Sequence, residues 1–308
     1  MAASRKYIFG PVPSRRLGMS LGVDIVPFKT CTQNCIYCQL GTNAITTSER
    51  KPWVRIAEVL AELKAVLDEG THADYITISG SGEPTLNSDL GQLVDGIKAL
   101  SDIPVAIVTN GTLLVDPAVR ADCCKADVIM PSLDAGDETA FRLINHPHRS
   151  ITLRSLVDGL SSLRNEYSGR IWLEVFIVEG VNTSGEQLEK IRRLIGYIRP
   201  DKVHLNTAVR PTAEKGVAAV SPARLREIAG FFGPVAEVIA DFSAAGHTRG
   251  AGADAVAGML RRRPCSLADI CASTGLNSLE AVKIIEMLMG TGEVVSEIRG
   301  DVTFYHAK

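Results

Sequence analysis

The sequence has no marked excess of charge of either sign. Its 308 residues carry a formal net charge of −2 at pH 7, and the pI is near 6.3. A protein with this balance has no general electrostatic attraction to nucleic acid or to an anionic membrane. A nucleic-acid partner would therefore need a local basic patch, and the arginine run at 261–263 is the patch that keeps RNA contact open.

Long apolar runs and a secretory leader are also missing. No stretch of about 18 apolar residues occurs, so we expect no membrane span and no membrane partner. The first residues, MAASRKYIFGPVPSRR, are basic but contain no apolar core with a cleavage site, so we expect no secretory signal. These absences predict a cytoplasmic protein.

Cysteine is too scarce, and odd in number, for a disulfide scaffold. In a reducing compartment, clustered cysteines indicate metal ligands, whereas scattered ones are small core residues. Three of the seven cysteines are clustered, at Cys31, Cys35 and Cys38. The four scattered cysteines are Cys123, Cys124, Cys265 and Cys271.

What the sequence does contain, between residues 20 and 232, is an alternation of β-rich runs and helical patterns. The strand candidates are nearly continuous apolar runs, which is typical of parallel strands buried on both faces. They lie at residues 20–27, 75–80, 105–111, 127–135, 171–180 and 202–211. Amphipathic helices are predicted between them, at 56–67, 90–97 (with Asn87 and Ser88 as caps) and 188–198. Such alternation predicts parallel βαβ units with ligands at the carboxyl ends of the strands, in an open barrel or a doubly wound sheet.

The pattern changes after residue 242, so we predict an α/β domain over 1–242, a Gly- and Ala-rich linker over 243–253 and a small domain over 254–308. The last segment predicts three helices and a β-hairpin that turns at residues 299–301, which is the winged-helix arrangement. Winged helices often bind nucleic acid through the third helix. Here that helix carries Glu280 and Glu286 with only Lys283 between them. We therefore expect no DNA binding, but protein docking or packing against the larger domain.

The three clustered cysteines directly follow the first predicted strand, so their thiols should lie at the carboxyl edge of the sheet. Thiolates select iron–sulfur clusters or zinc, and both usually take four protein ligands. No fourth cysteine is close in sequence, so three thiolates would leave one coordination position open for a reactant. A zinc loop and buried free thiols are the alternatives.

The CxxxCxxC spacing, with Tyr37 before the last cysteine, resembles the radical SAM superfamily. The resemblance implies a 4Fe–4S cluster on Cys31, Cys35 and Cys38, whose open iron binds the amino and carboxylate groups of S-adenosylmethionine (SAM). It also implies a flavodoxin or ferredoxin as reductant and cleavage of SAM to methionine and a 5′-deoxyadenosyl radical. That radical would take hydrogen from an RNA base, a protein residue or a metabolite.

A second motif closes the second predicted strand, where the superfamily places its GGEP-type sequence. It consists of Gly80, Ser81, Gly82, Glu83 and Pro84, with Ser81 in place of a glycine. The resemblance implies that the glycines let the backbone approach the cofactor. The exposed carbonyl and carboxylate edge is expected to accept hydrogen bonds from the SAM ammonium. An ordinary turn is the alternative, since these residue types favour turns.

Polar residues also end the later predicted strands. Asn110 ends the third strand, and Ser132 and Asp134 lie near the end of the fourth, where superfamily members contact the SAM carboxylate or ribose. Asn182 follows the fifth strand, and Asn206 and Arg210 lie on the sixth, so all three could reach the cofactor or a substrate anion. Surface groups and caps are the alternative for each.

The resemblance covers about residues 7–232 and implies a partial (β/α)6 TIM-type barrel, open on one side to admit a large substrate. The segments GPVPSRRLG, INHPH and LNTAVRP resemble a sub-branch that is related to the wyosine-base synthases of tRNA. Arg15 and Arg16 would hold a phosphate or carboxylate near the barrel mouth, or form a solvated pair. The rival interpretation is an iron–sulfur redox-sensing regulator that binds nucleic acid through its winged helix.

Overall fold

Ten strands and seven helices precede residue 240 in the computed structural model, which describes residues 5–42, 44–239 and 253–308. The strands are β1 (Ile8–Ser14), β2 (Gly18–Val23), β3 (Thr30–Cys31), β4 (Ile45–Thr46), β5 (Tyr75–Ile78), β6 (Val105–Val108), β7 (Val128–Met130), β8 (Arg170–Ile177), β9 (Lys202–Thr207) and β10 (Ala236–Val238). The helices are α1 (Ile56–Asp68), α2 (Leu90–Leu100), α3 (Pro117–Cys123), α4 (Glu138–Asn145), α5 (Leu153–Glu166), α6 (Gly185–Ile198) and α7 (Pro222–Phe232).

Eight of these strands form one sheet in the order β1-β2-β5-β6-β7-β8-β9-β10. Six of these eight strands are parallel to one another and confirm the six predicted strands: β2, β5, β6, β7, β8 and β9. Each is shorter than the apolar run that predicted it. A doubly wound sheet would reverse its strand order at a switch point. Here the order follows the chain, and β1 does not pair with β10, so the partial barrel is confirmed.

Two edge strands extend the sheet beyond the prediction. β1 pairs antiparallel with β2, and β10 pairs parallel with β9. The first was missed because Pro11 and Pro13 interrupt its apolar pattern. Proline cannot donate to a sheet ladder but is tolerated on an edge strand, which is where β1 lies.

The helices cover the outer face of the sheet with apolar side chains, and α1 buries Ile56, Val59 and Leu63 in the main core. The predicted caps of the second helix were wrong. Asp89 is the N-cap residue of α2, and it makes no side-chain cap hydrogen bond. The Asn87 side chain instead donates to the Ile25 carbonyl (2.9 Å) and accepts from the Asp89 amide, which ties the exit of β2 to the start of α2.

The turn between β1 and β2 reaches across the inner face of the sheet. Leu17 is 3% exposed and packs in an apolar cluster with Met130 and Trp172. Arg16 forms an ion pair with Glu174 on β8, and Arg15 donates to Asn206 Oδ1 on β9 (3.3 Å). This pair of arginines is therefore not a solvated pair, because both side chains bind polar residues of the sheet; their placement near the barrel mouth stays a prediction.

The C-terminal unit, residues 253–308, contains three helices and a three-stranded antiparallel sheet in the order β11-β13-β12. Its elements are α8 (Ala253–Leu260), β11 (Cys265–Ser266), α9 (Leu267–Thr274), α10 (Ser278–Gly290), β12 (Val294–Arg299) and β13 (Val302–Ala307). The predicted helices and hairpin are thus present, while the winged-helix assignment and the domain boundaries stay predictions. The predicted linker, 243–253, lies outside the described residues except for its last position.

The C-terminal unit packs against one edge of the open barrel and against a loop. Val12 of the edge strand β1 packs against its apolar cluster, and Arg262 lies over the ring of Phe9 at 4.4 Å from the ring centre. In the loop after β9, Arg210 (2.9 Å) and Val217 (2.5 Å) accept hydrogen bonds from Arg299 at their carbonyls. Among the described residues, no helix is long and apolar enough to cross a bilayer.

Candidate cluster and cofactor site

The loop that carries Cys31, Cys35 and Cys38, here called the cysteine loop, is bonded at its start to the second motif. Thr30 pairs with Ile45 in the short β3–β4 ladder and forms a parallel bridge with Gly82. Farther along, the Cys38 amide donates to the Cys35 carbonyl (3.0 Å) and closes a turn. All three loop cysteines are free and half-buried.

Two side-chain amides donate to the sulfurs of this loop. Asn110 Nδ2 lies 3.4 Å from Cys31 Sγ, and Asn145 Nδ2 lies 3.4 Å from Cys35 Sγ. Asn110 was a predicted site residue, but Asn145 was missed. Its signal was the INHPH segment, which packs directly on the loop: the Asn34 amide donates to the Asn145 carbonyl (3.1 Å), and the His148 amide donates to the Thr32 carbonyl (2.8 Å).

The chemistry of this donor set fits an iron–sulfur cluster. Burial, followed by the charge of Glu83, raises the pKa of the Cys31 thiol to about 12, and burial raises the pKa of Cys35 well above its usual range. Metal cations reverse this preference because they stabilise thiolates directly. No group of three His, Cys, Asp or Glu side chains able to hold one metal ion is found among the described residues. A four-iron cluster spreads its thiolates over three iron atoms, so it does not need them to converge on one ion.

The glycines of the second motif are required by close contacts within the protein. Gly80 has φ of +146°, and a Cβ there would lie 2.5 Å from Cγ of Asp24. A Cβ on Gly82 would lie 2.0 Å from the Thr30 carbonyl oxygen. The backbone approach that we predicted toward the cofactor is thus, in this structure, an approach to Asp24 and to the cysteine loop.

Glu83 corrects a second expectation, because its carboxylate is not exposed. The residue is 2% exposed, and its carboxylate accepts from Thr85 N (3.1 Å), Thr85 Oγ1 (2.6 Å), Thr109 Oγ1 (2.5 Å) and Asn110 N (2.7 Å). Burial raises the pKa of this carboxyl, and the hydrogen bonds oppose the shift. The carboxylate therefore joins the ends of β5 and β6, and the predicted hydrogen bond from the SAM ammonium to this motif stays a prediction.

Asp134 is enclosed in a similar way. It is 2% exposed and accepts from Tyr37 Oη (2.5 Å), Asn145 Nδ2 (2.7 Å) and the Phe176 amide (2.8 Å). Burial raises the pKa of its carboxyl to about 6. In this structure Asp134 joins the cysteine loop to β8, and its predicted contact with the SAM carboxylate or ribose stays a prediction.

Tyr37 and Ser132 are half-buried at the carboxyl edge of the sheet. The Tyr37 ring stacks on Phe176, with ring centres 3.8 Å apart and planes 9° apart. Ser132 follows β7 and forms a parallel bridge with Glu174. Their contacts with the cofactor stay predictions.

The last three predicted residues do not act together at the loop. Asn182 is fully buried, and its amide donates to the carbonyls of Asp134 and Phe176, so it is a structural residue. Arg210 pairs with Asp269 of the C-terminal unit (3.2 Å), and its contact with the cofactor or a substrate anion stays a prediction. Asn206 lies on the inner face of the sheet, where it accepts from Arg15.

Comparisons with known proteins agree with this geometry. A sequence model of the Radical SAM superfamily matches residues 25–195, which include the cysteine loop. A "GTPase Obg" of Brachyspira hyodysenteriae is 37% identical over 305 residues, which cover 97% of this chain and 45% of that protein. A UPF0026 protein of Methanocaldococcus jannaschii is 34% identical over 67% of this chain and 65% of its own length. This chain thus spans less than two thirds of either relative, whereas a UPF0026 protein of Helicobacter pylori J99 is 31% identical over 97% of both.

Two solved structures share the fold. "TYW1 with a lysine-pyruvate adduct bound" aligns with a TM-score of 0.53 at 20% identity and covers 73% of this chain and 75% of that one. Streptococcus suis SuiB bound to S-adenosylmethionine aligns with a TM-score of 0.51 at 16% identity and covers 68% of this chain and 46% of that one. The family match extends over more than half of the 308 residues. The chain therefore belongs to the radical SAM superfamily, whose enzymes use a 4Fe–4S cluster and S-adenosylmethionine.

Proposed function

We propose that Cys31, Cys35 and Cys38 hold the cluster and that the chain cleaves SAM reductively. The observation that carries the proposal is the gathering of these thiols in one loop, two of them bonded by side-chain amides, at the carboxyl edge of a parallel sheet. When bound, the cluster supplies an electron, received from a flavodoxin or ferredoxin, that breaks a C–S bond of SAM and yields methionine and a 5′-deoxyadenosyl radical.

The protein residues organise this chemistry by fixing the loop. The amide N–H groups of Asn110 and Asn145 present partial positive charge to the sulfurs, which favours thiolate over thiol. The stack of Tyr37 on Phe176 and the hydrogen bond from Tyr37 to Asp134 hold the middle of the loop on β8. A rigid loop of this kind keeps the ligands in place while the cofactor is exchanged.

The substrate in this proposal is an RNA base, a protein residue or a metabolite. The names of similar proteins refer to different classes of substrate, so they do not select one. A dual-specificity RNA methyltransferase of Caulobacter is 26% identical over 57% of this chain, and a probable GTP 3′,8-cyclase of Saccharolobus islandicus is 31% identical over 37%. Screening of tRNA, protein and metabolite pools for deuterium transfer into deoxyadenosine would identify the substrate.

The experiment for the cleavage step is anaerobic reconstitution with iron and sulfide, followed by dithionite and SAM. We expect 5′-deoxyadenosine from the wild type and none from the Cys31→Ala, Cys35→Ala, Cys38→Ala triple variant. Cys124→Ala is the matched control, because that thiol is also half-buried but lies after α3. Undiminished product from the triple variant would overturn the proposal, and zinc without acid-labile sulfide in anaerobically purified protein would favour the zinc alternative.

The C-terminal unit is proposed to pack against the barrel and dock proteins, rather than bind DNA. Arg299, at the end of β12 in the hairpin, is engaged with the carbonyls of Arg210 and Val217. Glu280 and Glu286 lie on α10, the helix that would enter a groove. We expect no salt-dependent complex between the full-length chain and DNA below micromolar concentrations. Such a complex would instead support the redox-sensing regulator.

A further inference from the structure

A second concave site lies where the barrel meets the C-terminal unit. Its volume is about 940 Å³, and it is lined by the exit of β2, the start of α1, and Arg261 and Arg262 after α8. This volume is in the range of small-molecule sites. Neither the three loop cysteines nor Asn110 lines this cavity, which touches the second motif only at Ser81.

Basic side chains outnumber acidic ones on the cavity wall. The acidic residues are Asp24, which pairs with Arg262 (3.4 Å), and Glu58, which pairs with Arg55 (3.4 Å). The basic residues are Arg5, Lys6, Arg55, Arg261 and Arg262.

The remaining cations of the wall differ in their acidic neighbours. Arg5 pairs with Glu69 just outside the cavity (2.7 Å). Lys6, whose Nζ lies 4.6 Å from the centre of the Tyr7 ring, forms no close ion pair within the described part of the chain, but Tyr7 and then the charges of Glu58 and Glu62 raise its pKa. Arg261 is exposed and forms no ion pair there. An exposed arginine on a concave wall attracts an anionic group and binds phosphate with charge-assisted hydrogen bonds.

Aromatic side chains line the same cavity. Phe28 is 58% exposed, although it is a large apolar residue, and the half-buried Trp53 lies on the wall with it. Tyr7 also lines the wall, but it is 6% exposed and its hydroxyl donates to Glu58 (2.9 Å). Exposed aromatic rings beside cations are the usual platform for a nucleobase, because any base offers a planar face for stacking.

A buried acceptor completes the wall. Asp24 is 7% exposed, and its Oδ2 accepts from the Ser81 hydroxyl (2.5 Å). Its Oδ1 is buried and has no hydrogen-bond partner among the described residues. The Asp24 carboxylate therefore positions Ser81 and Arg262 on the wall.

We propose that this cavity binds a nucleoside phosphate. The phosphate lies against Arg261 and Lys6, and the base lies against Phe28 and Trp53. A free nucleotide and a nucleotide of an RNA strand share this chemistry. The site goes beyond the proposed function, since both units build it and binding needs no reduced cluster. The Ser81 hydroxyl connects it to the loop that carries Glu83.

The test is calorimetric titration of the reconstituted 308-residue chain, saturated with SAM and without reductant. The probes are guanosine 5′-monophosphate, guanosine and a short RNA with a 5′-phosphate. We expect the nucleotide to bind more tightly than guanosine, and Arg261→Ala to weaken its binding roughly tenfold. Arg154→Ala is the matched control and should change nothing, because that side chain is 90% exposed on α5 and outside the cavity.

Each outcome decides the proposal. Binding of the mononucleotide identifies a free nucleotide as the ligand source, and binding of the RNA alone identifies a strand. Equal affinity for nucleotide and guanosine, equal affinity in wild type and Arg261→Ala, or no binding of any probe overturns the site. The triple cysteine variant should still bind, so failure of this proposal is distinguishable from failure of the cluster proposal.

Discussion

Single buried side chains organise the candidate site, and Glu83, which is 2% exposed, is one of them. Its two carboxylate oxygens differ in their partners: Oε1 accepts from Thr85 and Thr109, whereas Oε2 accepts from the Asn110 amide. In Glu83→Gln, a carboxamide nitrogen in the position of Oε2 would direct its N–H at the Asn110 N–H. We expect a loss of about 2 kcal/mol in the free energy of unfolding, because a buried donor loses its partner. Urea denaturation of the cluster-free protein measures it.

The control for this variant is Glu49→Gln, since the Glu49 side chain is 68% exposed. It should unfold at the urea concentration of the wild type. If Glu83→Gln also unfolds there, the four hydrogen bonds do not stabilise the fold in the way the structure indicates.

Asn145 makes a second prediction at this scale. Hydrogen bonds to sulfur stabilise the more negative, reduced state of an iron–sulfur cluster and raise its reduction potential. One hydrogen bond of about 1 kcal/mol corresponds to about 40 mV in a one-electron couple. We therefore expect Asn145→Ala to lower the potential by about that amount in a redox titration followed by electron paramagnetic resonance.

Asn165→Ala is the matched control for this titration. Asn165 lies on α5 and accepts from Arg199 (2.8 Å), away from the sulfurs, so its replacement should leave the potential unchanged. An unchanged potential in Asn145→Ala would mean that the 3.4 Å contact with Cys35 carries no electronic effect.

At the scale of elements, the start of α4 is sensitive to pH. The Ala140 amide, followed by Lys190, lowers the pKa of Asp137 to about 2. Since the pKa in the unfolded chain is about 4, the ionised carboxylate stabilises the fold above that pH, and this contribution is lost as the pH falls toward 2. We expect Asp137→Ala to cost about 1 kcal/mol at pH 7 and progressively less from pH 4 to pH 3.

Asp137→Asn separates the cap from the charge in the same urea experiment. Asparagine keeps an oxygen that accepts from the Ala140 amide but loses the ion pair with Lys190 (2.9 Å). It should cost less than alanine at pH 7. A loss that is the same at pH 7 and pH 3 for Asp137→Ala would contradict the assignment of the low pKa.

The elements show what could be predicted from the sequence. The parallel strands were predicted because their apolar runs are buried on both faces, and the cysteine loop because its spacing is local in the chain. Asn145 contacts Cys35 across 110 positions, and Asp134 meets Tyr37 across 97, so no local pattern contains these pairs. The inward orientation of the Asn182 amide likewise depends on the packing of β8 against the loop that follows it. Prediction failed where a polar residue had two plausible partners and only the assembled sheet selects one.

For the whole molecule, the contact between its two parts is testable through Arg299. This side chain donates to Arg210 O, Thr212 Oγ1 and Val217 O. The segment that contains these acceptors also contacts the cysteine loop, because the Glu214 amide donates to the Ile36 carbonyl (2.9 Å). In Arg299→Ala we expect backbone hydrogen exchange over residues 209–220 to become roughly tenfold faster, because local opening loses these bonds.

Mass-spectrometric hydrogen exchange measures this effect, with Arg154→Ala as the control. Arg154 carries the same charge on α5 and pairs only with Asp158 of its own helix among the described residues. Protection of 209–220 that is equal in both variants would show that the C-terminal unit does not steady this segment.

The turn between β1 and β2 has a consequence for how the protein is made. Arg16 and its partner Glu174 are 158 positions apart, and Arg15 and Asn206 are 191 apart. At a translation rate of about 5–20 residues per second, roughly 8–30 s pass between the synthesis of Arg16 and that of Glu174. The turn that fills the inside of the sheet is therefore synthesised well before the strands that carry its partners.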